Sequence, residues 1–169
     1  MSFIKLSDLL VPSNITVVSV VHPGEIDGIY VNGGDNSAVL NNFLLNKITK
    51  KICNKCNNKG FITDDIEIIS RSIGKINASH FTGDIHYNVK LKINICIPLI
   101  GTKIKAKVLG KNEAGALCIA EPFKIMISPL NEELGDLNEG DYIIVEVLRY
   151  KVEIDETYIK ILGKFISVL

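Results

Sequence analysis

Between Tyr87 and Val108 the chain passes through two strict apolar and polar alternations separated by a break, and this interrupted pattern constrains the fold more than any other feature. In the first run Tyr87, Val89, Leu91, Ile93, Ile95 and Ile97 share one face, and Asn88, Lys90, Lys92, Asn94 and Cys96 share the other. In the second, Ile104, Ala106 and Val108 oppose Lys103, Lys105 and Lys107. A period of two marks a half-buried strand. Pro98 has no N–H to donate to a ladder and Gly101 relaxes the backbone, so two sheets are expected to meet here. The break divides the chain into expected domains 1–97 and 98–169.

Before the break, the β-branched run Ile15 to Val21 reads as a strand that ends in a turn at His22-Pro23-Gly24. Gly33-Gly34 follows, with Asp35, Asn36 or Ser37 available as a helix cap. Leu40, Leu44, Ile48 and Ile52, with Phe43 beside them, then recur at helical spacing as far as about Cys56. Phe61-Ile62 and Ile66 to Ile69 predict one or two strands, and residues 74–86 a loop or bent hairpin. The order β, α, β, β is that of a small α+β domain.

After Gly101 only short strand patterns remain: Lys103 to Leu109, Ala116 to Ala120, Lys124 to Ser128, Tyr142 to Val152 and Tyr158 to Ile166. Turn residues at Asn112 to Gly115, Glu121-Pro122, Asn138 to Gly140 and Asp155-Glu156 separate them. Five strands, with the longest connection between the third and fourth, predict a five-stranded OB-fold β-barrel. The expected class is therefore α+β, an α+β domain followed by that barrel.

Composition narrows the function. Of 169 residues 47% are hydrophobic, ample for a packed core, and Lys plus Arg equals Asp plus Glu at 19 each, so no global field commits the chain to nucleic acid or membrane. Residues 1–97 carry 10 basic and 8 acidic side chains and residues 98–169 carry 9 and 11, so a nucleic-acid site has to be a local patch. The apolar run Ile15 to Val21 is far short of the roughly 20 residues that span a bilayer, and no signal peptide is evident. Four cysteines, only two of them close together, do not form a secreted disulfide framework, and an intracellular protein is expected.

Four groups of residues invite chemistry. Lys103, Lys105 and Lys107 would space three ammonium groups about 7 Å apart along one strand face, a row able to follow a phosphate backbone or simply to solvate and protect a strand. Phe123 is the one aromatic near the second and third barrel strands, so RNA binding there would be weak, salt-sensitive and unselective. Lys47, Lys50, Lys51, Lys55 and Lys59 cluster near the helix end, where the macrodipole favours them, and read either as helix stabilisation or as a contact surface. Cys53 and Cys56 make half of a zinc knuckle without the second pair, so packing as small hydrophobes is the better account and no metal is expected. His80, Asp84 and His86 lack a third carboxylate, a nucleophile motif or a phosphate loop. A hydrolase on these three is the distant reading, and a loop that presents Ile76, His80 and Phe81 to a partner is the stronger one.

Several pieces, in this order and spacing, carry a family likeness: Phe3 and Leu6; Val21-His22-Pro23; the helix running into Cys56, Gly60, Phe61 and Ile62; the loop Gly74 to Gly83; Tyr87 and Val89; Pro98 and Gly101; and Lys111 to Gly115. Over essentially its whole length the chain resembles the larger stalk subunit, of seventh-subunit type, of archaeal and eukaryotic multisubunit DNA-directed RNA polymerases, in a version carried by a large DNA virus. The resemblance implies a ribonucleoprotein-like tip domain that docks on the polymerase core through Gly60, Phe61, Gly74, Ile76, His80, Phe81 and Gly83. It also implies an OB domain that contacts nascent RNA, here through Lys103, Lys105, Lys107 and Phe123. Core subunits, a smaller stalk subunit and RNA would be the partners, with no catalysis, no cofactor and no membrane. The location would be that of the polymerase: host cytoplasm or virion for a virus, nucleus or cytoplasm otherwise. The alternative is a free-standing OB-fold RNA-binding accessory protein of translation or RNA decay.

Overall fold

The structure, a computed structural model, describes residues 6–30, 36–76, 82–128 and 137–169. It is mostly β, with two α-helices and one short 3-10 helix (Leu6–Leu9) among the described residues, and so departs from the α+β class expected. Two compact units divide it, neither continuous in sequence: one takes Met1–Val11, Asn54–Ile62 and Ile95–Leu169, the other Pro12–Cys53 and Thr63–Asn94. No helix among the described residues is long and apolar enough to cross a membrane.

The second of these units contains most of an open sheet in the order β1 (Leu10–Val21), β4 (Ile85–Cys96), β2 (Phe61–Arg71), with β3 (Lys75–Ile76) antiparallel to β4. Tyr87, Val89, Leu91, Ile93 and Ile95 are buried along one face of the central strand, and Asn88, Lys90 and Lys92 are exposed on the other, as the alternation predicts. The pattern fails at Cys96, which is fully buried beside Ile95 because the strand there enters the other unit's core. Pro12 is tolerated because β1 is an edge strand, paired on one side only.

Helix α2 (Asn36–Ile52) buries Leu40, Leu44 and Ile48, the predicted stripe. It stops four residues earlier than the periodicity suggests, because Asn54 turns left-handed at φ 56°. Arg71 of β2 ties it to the sheet, donating from Nε to Asn41 at 2.7 Å and from a terminal nitrogen to Ser37 at 3.2 Å.

A short helix, α1 (Pro23–Tyr30), stands where only a turn is predicted. Its start is a capping box: the His22 N–H donates to the Glu25 carboxylate at 2.9 Å, and the Glu25 N–H returns to the His22 carbonyl. Proline at the first helical position and glutamate at the third were the legible signals, and the His-Pro-Gly turn composition hid them.

The other unit is built on a closed barrel of β5 (Lys103–Asn112), β6 (Gly115–Ala120), β7 (Phe123–Ile127), β8 (Tyr142–Lys151) and β9 (Ile159–Val168). Around the barrel the order is β5-β6-β7-β9-β8, antiparallel throughout except for the parallel pair β7 and β9, an order that fits an OB fold. Alternate residues fill the interior: Ile104, Ala106 and Val108 from β5, Phe123, Ile125 and Ile127 from β7, Ile159, Ile161 and Phe165 from β9. Gly163 lies in the same inward series, where a Cβ would stand 2.2 Å from Val145 and 3.0 Å from Ile125. Bulges interrupt the ladders near Leu109, between Ile144 and Val145, and at Leu148, and supply the curvature that closure needs. At the break that opened the sequence reading, Gly101 adopts φ 82° and donates its N–H to Val147, fixing the entry into β5.

Candidate functional site

The barrel exterior follows from the same alternation that fills its interior. With Ile104, Ala106 and Val108 inward, Lys105 and Lys107 are exposed and Lys103 half-buried on the outer face of β5. Lys105 lies over the Tyr142 ring of β8, 4.6 Å from its centroid, so this row already includes a cation–π contact. Phe123 is 1% exposed and belongs to the barrel interior, so it presents no free ring to a base.

Sequence reasoning missed the aromatic that is near charge. Tyr158, just before β9, has Lys124 at 4.9 Å and Lys160 at 6.0 Å from its ring centre. The parallel register sets Lys124 opposite Lys160, a like-charge pair that the ring and a carboxylate offset. That carboxylate is Glu153, which accepts from Lys151 and Lys160 and is held down to about 2 by those two ammonium groups. The only signal available beforehand was a tyrosine between acidic and lysine residues, and pairing across a parallel ladder is not written locally.

Beside Tyr158 opens a cavity of about 530 Å³ whose apolar wall is Phe61, Leu109, Ile119, Pro122 and Phe123, with Glu121 and Lys124 at its polar side. Thus Phe61, expected in a tip loop, is buried in the barrel unit. Gly60 belongs there too: a Cβ on it would meet the Cys96 carbonyl at 2.7 Å, which explains the glycine by packing. Gly74, Ile76 and Gly83 lie in the other unit, so the expected docking residues are divided between two units. Ile76 is 68% exposed on β3, Gly74 leaves room for Ile85 and Tyr87, and Gly83 turns at φ 71°. His80 and Phe81 lie outside the described residues.

Among the described residues the histidine that meets Asp84 is His22: Nδ1 lies 2.7 Å from Oδ1, and Thr82 donates to the other carboxylate oxygen at 2.9 Å. The imidazole first and the hydroxyl second hold the Asp84 carboxyl below its usual range. This pair joins the start of α1 to the β3–β4 connection, and among the described residues no serine or cysteine is bonded to it. The lysine cluster on α2 also has a partner that local sequence hides, since Lys47 donates to Glu25 of α1 at 2.6 Å and lowers that carboxyl.

No disulfide joins the four cysteines, and among the described residues no three metal-ligating side chains gather. Cys56 is buried and donates to the Tyr158 carbonyl at 3.6 Å. Burial raises the thiols, Cys96 to about 12 and Cys118 to about 11, which leaves them as inert core residues.

No protein-family model matches the chain. Over 146 residues it is 25% identical to a protein of Acanthamoeba polyphaga mimivirus named as a candidate DNA-directed RNA polymerase subunit, a stretch that covers 76% of this chain and 72% of that relative.

Proposed function

We propose that the chain is a non-catalytic stalk subunit of the DNA-directed RNA polymerase of a large DNA virus, docking on the core enzyme and offering its barrel to nascent RNA. The observation that carries the reading is the mimivirus relative, aligned with 76% of the chain and named for such a polymerase. The closed barrel with OB strand order supports it as the second domain of a stalk subunit. The sheet and helices of the other unit are the counterpart of a ribonucleoprotein-like first domain, and Gly74, Ile76 and Gly83, together with His80 and Phe81, are its core-facing residues. A smaller stalk subunit would bind along that domain.

RNA would meet Lys103, Lys105 and Lys107 as a charged row with little base stacking, because Phe123 is internal and Lys105 occupies one face of the exposed Tyr142 ring. Such binding is weak and salt-dependent, since its free energy comes from released counterions.

Affinity purification of the tagged chain from its native source, followed by mass spectrometry, tests the reading: polymerase core subunits are the expected companions. Ile76→Asp, on an exposed strand edge, is expected to reduce their recovery about tenfold while the chain stays folded. A chain that purifies without polymerase and binds single-stranded RNA tightly by itself would instead be the free-standing accessory protein.

A further inference from the structure

The outside of the barrel carries an apolar belt that none of these roles uses. Register sets Leu117 of β6 opposite Met126 of β7, Met126 opposite Leu162 of β9, and Leu162 opposite Arg149 of β8, next to the bulge that holds Leu148. Because Ile125, Ile127, Ile161 and Gly163 point inward, Met126 and Leu162 point out, at 59% and 44% exposure, and Leu148 joins them at 42%. At roughly 4.8 Å per strand the belt crosses four strands over about 14 Å. Single exposed apolar side chains are ordinary, but neighbours in register form a continuous surface.

Charge borders this belt. Five basic side chains stand in or beside its rows: Lys124, Lys151, Lys160, Lys164 and Arg149. Four carboxylates answer them: Glu146 opposite Lys164, Glu153 bonded to Lys151 and Lys160, Glu156, whose field reaches Lys160, and Glu121 beside Lys124 at the cavity. The margin is therefore net positive. Past Lys124 it leads to the cavity of about 530 Å³, a volume sufficient for one large side chain.

We propose that this belt docks an acidic amphipathic segment of a partner protein, with the apolar side chains of that segment over Met126 and Leu162 and its carboxylates against Lys124 and Lys160. Charge complementarity selects the occupant. Phosphates would satisfy the lysines but leave the aliphatic row uncovered, and the Tyr158 ring beside it already has Lys124 and Lys160 against it. An amphipathic acidic segment covers both, and a large residue at its end fills the cavity, the arrangement in which a few anchors dominate binding.

The test uses the full chain and a labelled synthetic helical peptide with leucine and phenylalanine on one face and glutamates along its borders, read by fluorescence anisotropy. The acidic peptide is expected to bind, more weakly at high salt, and its version with lysines in place of glutamates is not. Leu162→Glu and Lys124→Glu should each weaken binding about tenfold or more, with unchanged circular dichroism because Leu162 is exposed and Lys124 half-buried on the outer face. The proposal is overturned if neither peptide binds, if both bind alike, or if the two variants bind as wild type does. It is equally overturned if single-stranded oligouridylate displaces the peptide and loses affinity with Leu162→Glu, which would make the belt an RNA face. A dimer in sedimentation that Leu162→Glu converts to monomer would make it a contact between copies of this chain, and that too overturns it.

Discussion

Each barrel strand has a neighbour on both sides, whereas the sheet of β1, β4 and β2 ends in two edges, and the strands are composed accordingly. The barrel strands bury inward residues almost completely and carry no proline. The edge strand β1 contains Pro12 and buries nothing between Val11 and Val18, and the edge strand β2 places Asp64, Asp65 and Glu67 in solvent. Proline and charge at an edge discourage pairing with another chain, a protection that a closed barrel does not need. Apolar periodicity reports that a segment is a strand; its polar and proline content reports how many neighbours it has.

Closure should also govern how each region answers a lost side chain. Phe123→Ala removes a fully buried ring from an interior whose walls cannot approach one another, and a loss of about 3–5 kcal/mol is expected in urea denaturation. Leu44→Ala, equally buried but on a helix covering an open sheet that can settle, should cost less, about 2–3 kcal/mol. A larger loss at Leu44 would break the comparison, because openness would then give no relief.

Adding volume sharpens the same point. Gly163→Ala puts a methyl group 2.2 Å from Val145 inside the barrel, and a loss of about 1–3 kcal/mol follows from the shifts that must accommodate it. Near-neutral behaviour would mean that the barrel relaxes far more readily than its closure suggests.

The smallest expected effects are electrostatic. Asp84 in one unit and Glu153 in the other are partly buried carboxylates held below their ordinary values, Glu153 to about 2. A depressed carboxylate adds stability that is complete above its unfolded pKa of about 4 and is lost as pH falls through the folded value. Asp84→Asn and Glu153→Gln should therefore lower the urea midpoint slightly at neutral pH. The difference should fade on acidification, for Glu153→Gln only as pH approaches about 2. A constant difference from neutral pH to strong acid would assign the effect to packing, not charge.

All five barrel strands were legible in the sequence, because each is a short run rich in apolar residues set off by turn residues such as Asn112, Pro122 or Gly140. The stripe of Leu40, Leu44 and Ile48 and the long strand β4 were legible because period is a local property. Helix α1 was not, since eight residues starting Pro-Gly after His22 resemble a turn until Glu25 caps them. The candidate site was harder to read. Lys103, Lys105 and Lys107 could be placed on one face by counting, but whether Phe123 faced in or out depended on which end of β7 begins the inward series.

Alternation along the chain thus determined by itself the strands, the helix stripe and the outward lysines of β5, since each of these depends on neighbours two to four residues apart. Only the tertiary structure decided the partners, which lie far apart in sequence: His22 with Asp84, Lys47 with Glu25, Lys124 with Tyr158, and Leu117, Met126 and Leu162 in one belt. The physical reason is that register across strands is set by packing the whole interior at once. A side chain's cross-strand neighbour is a consequence of closure, and no local stretch of sequence contains it.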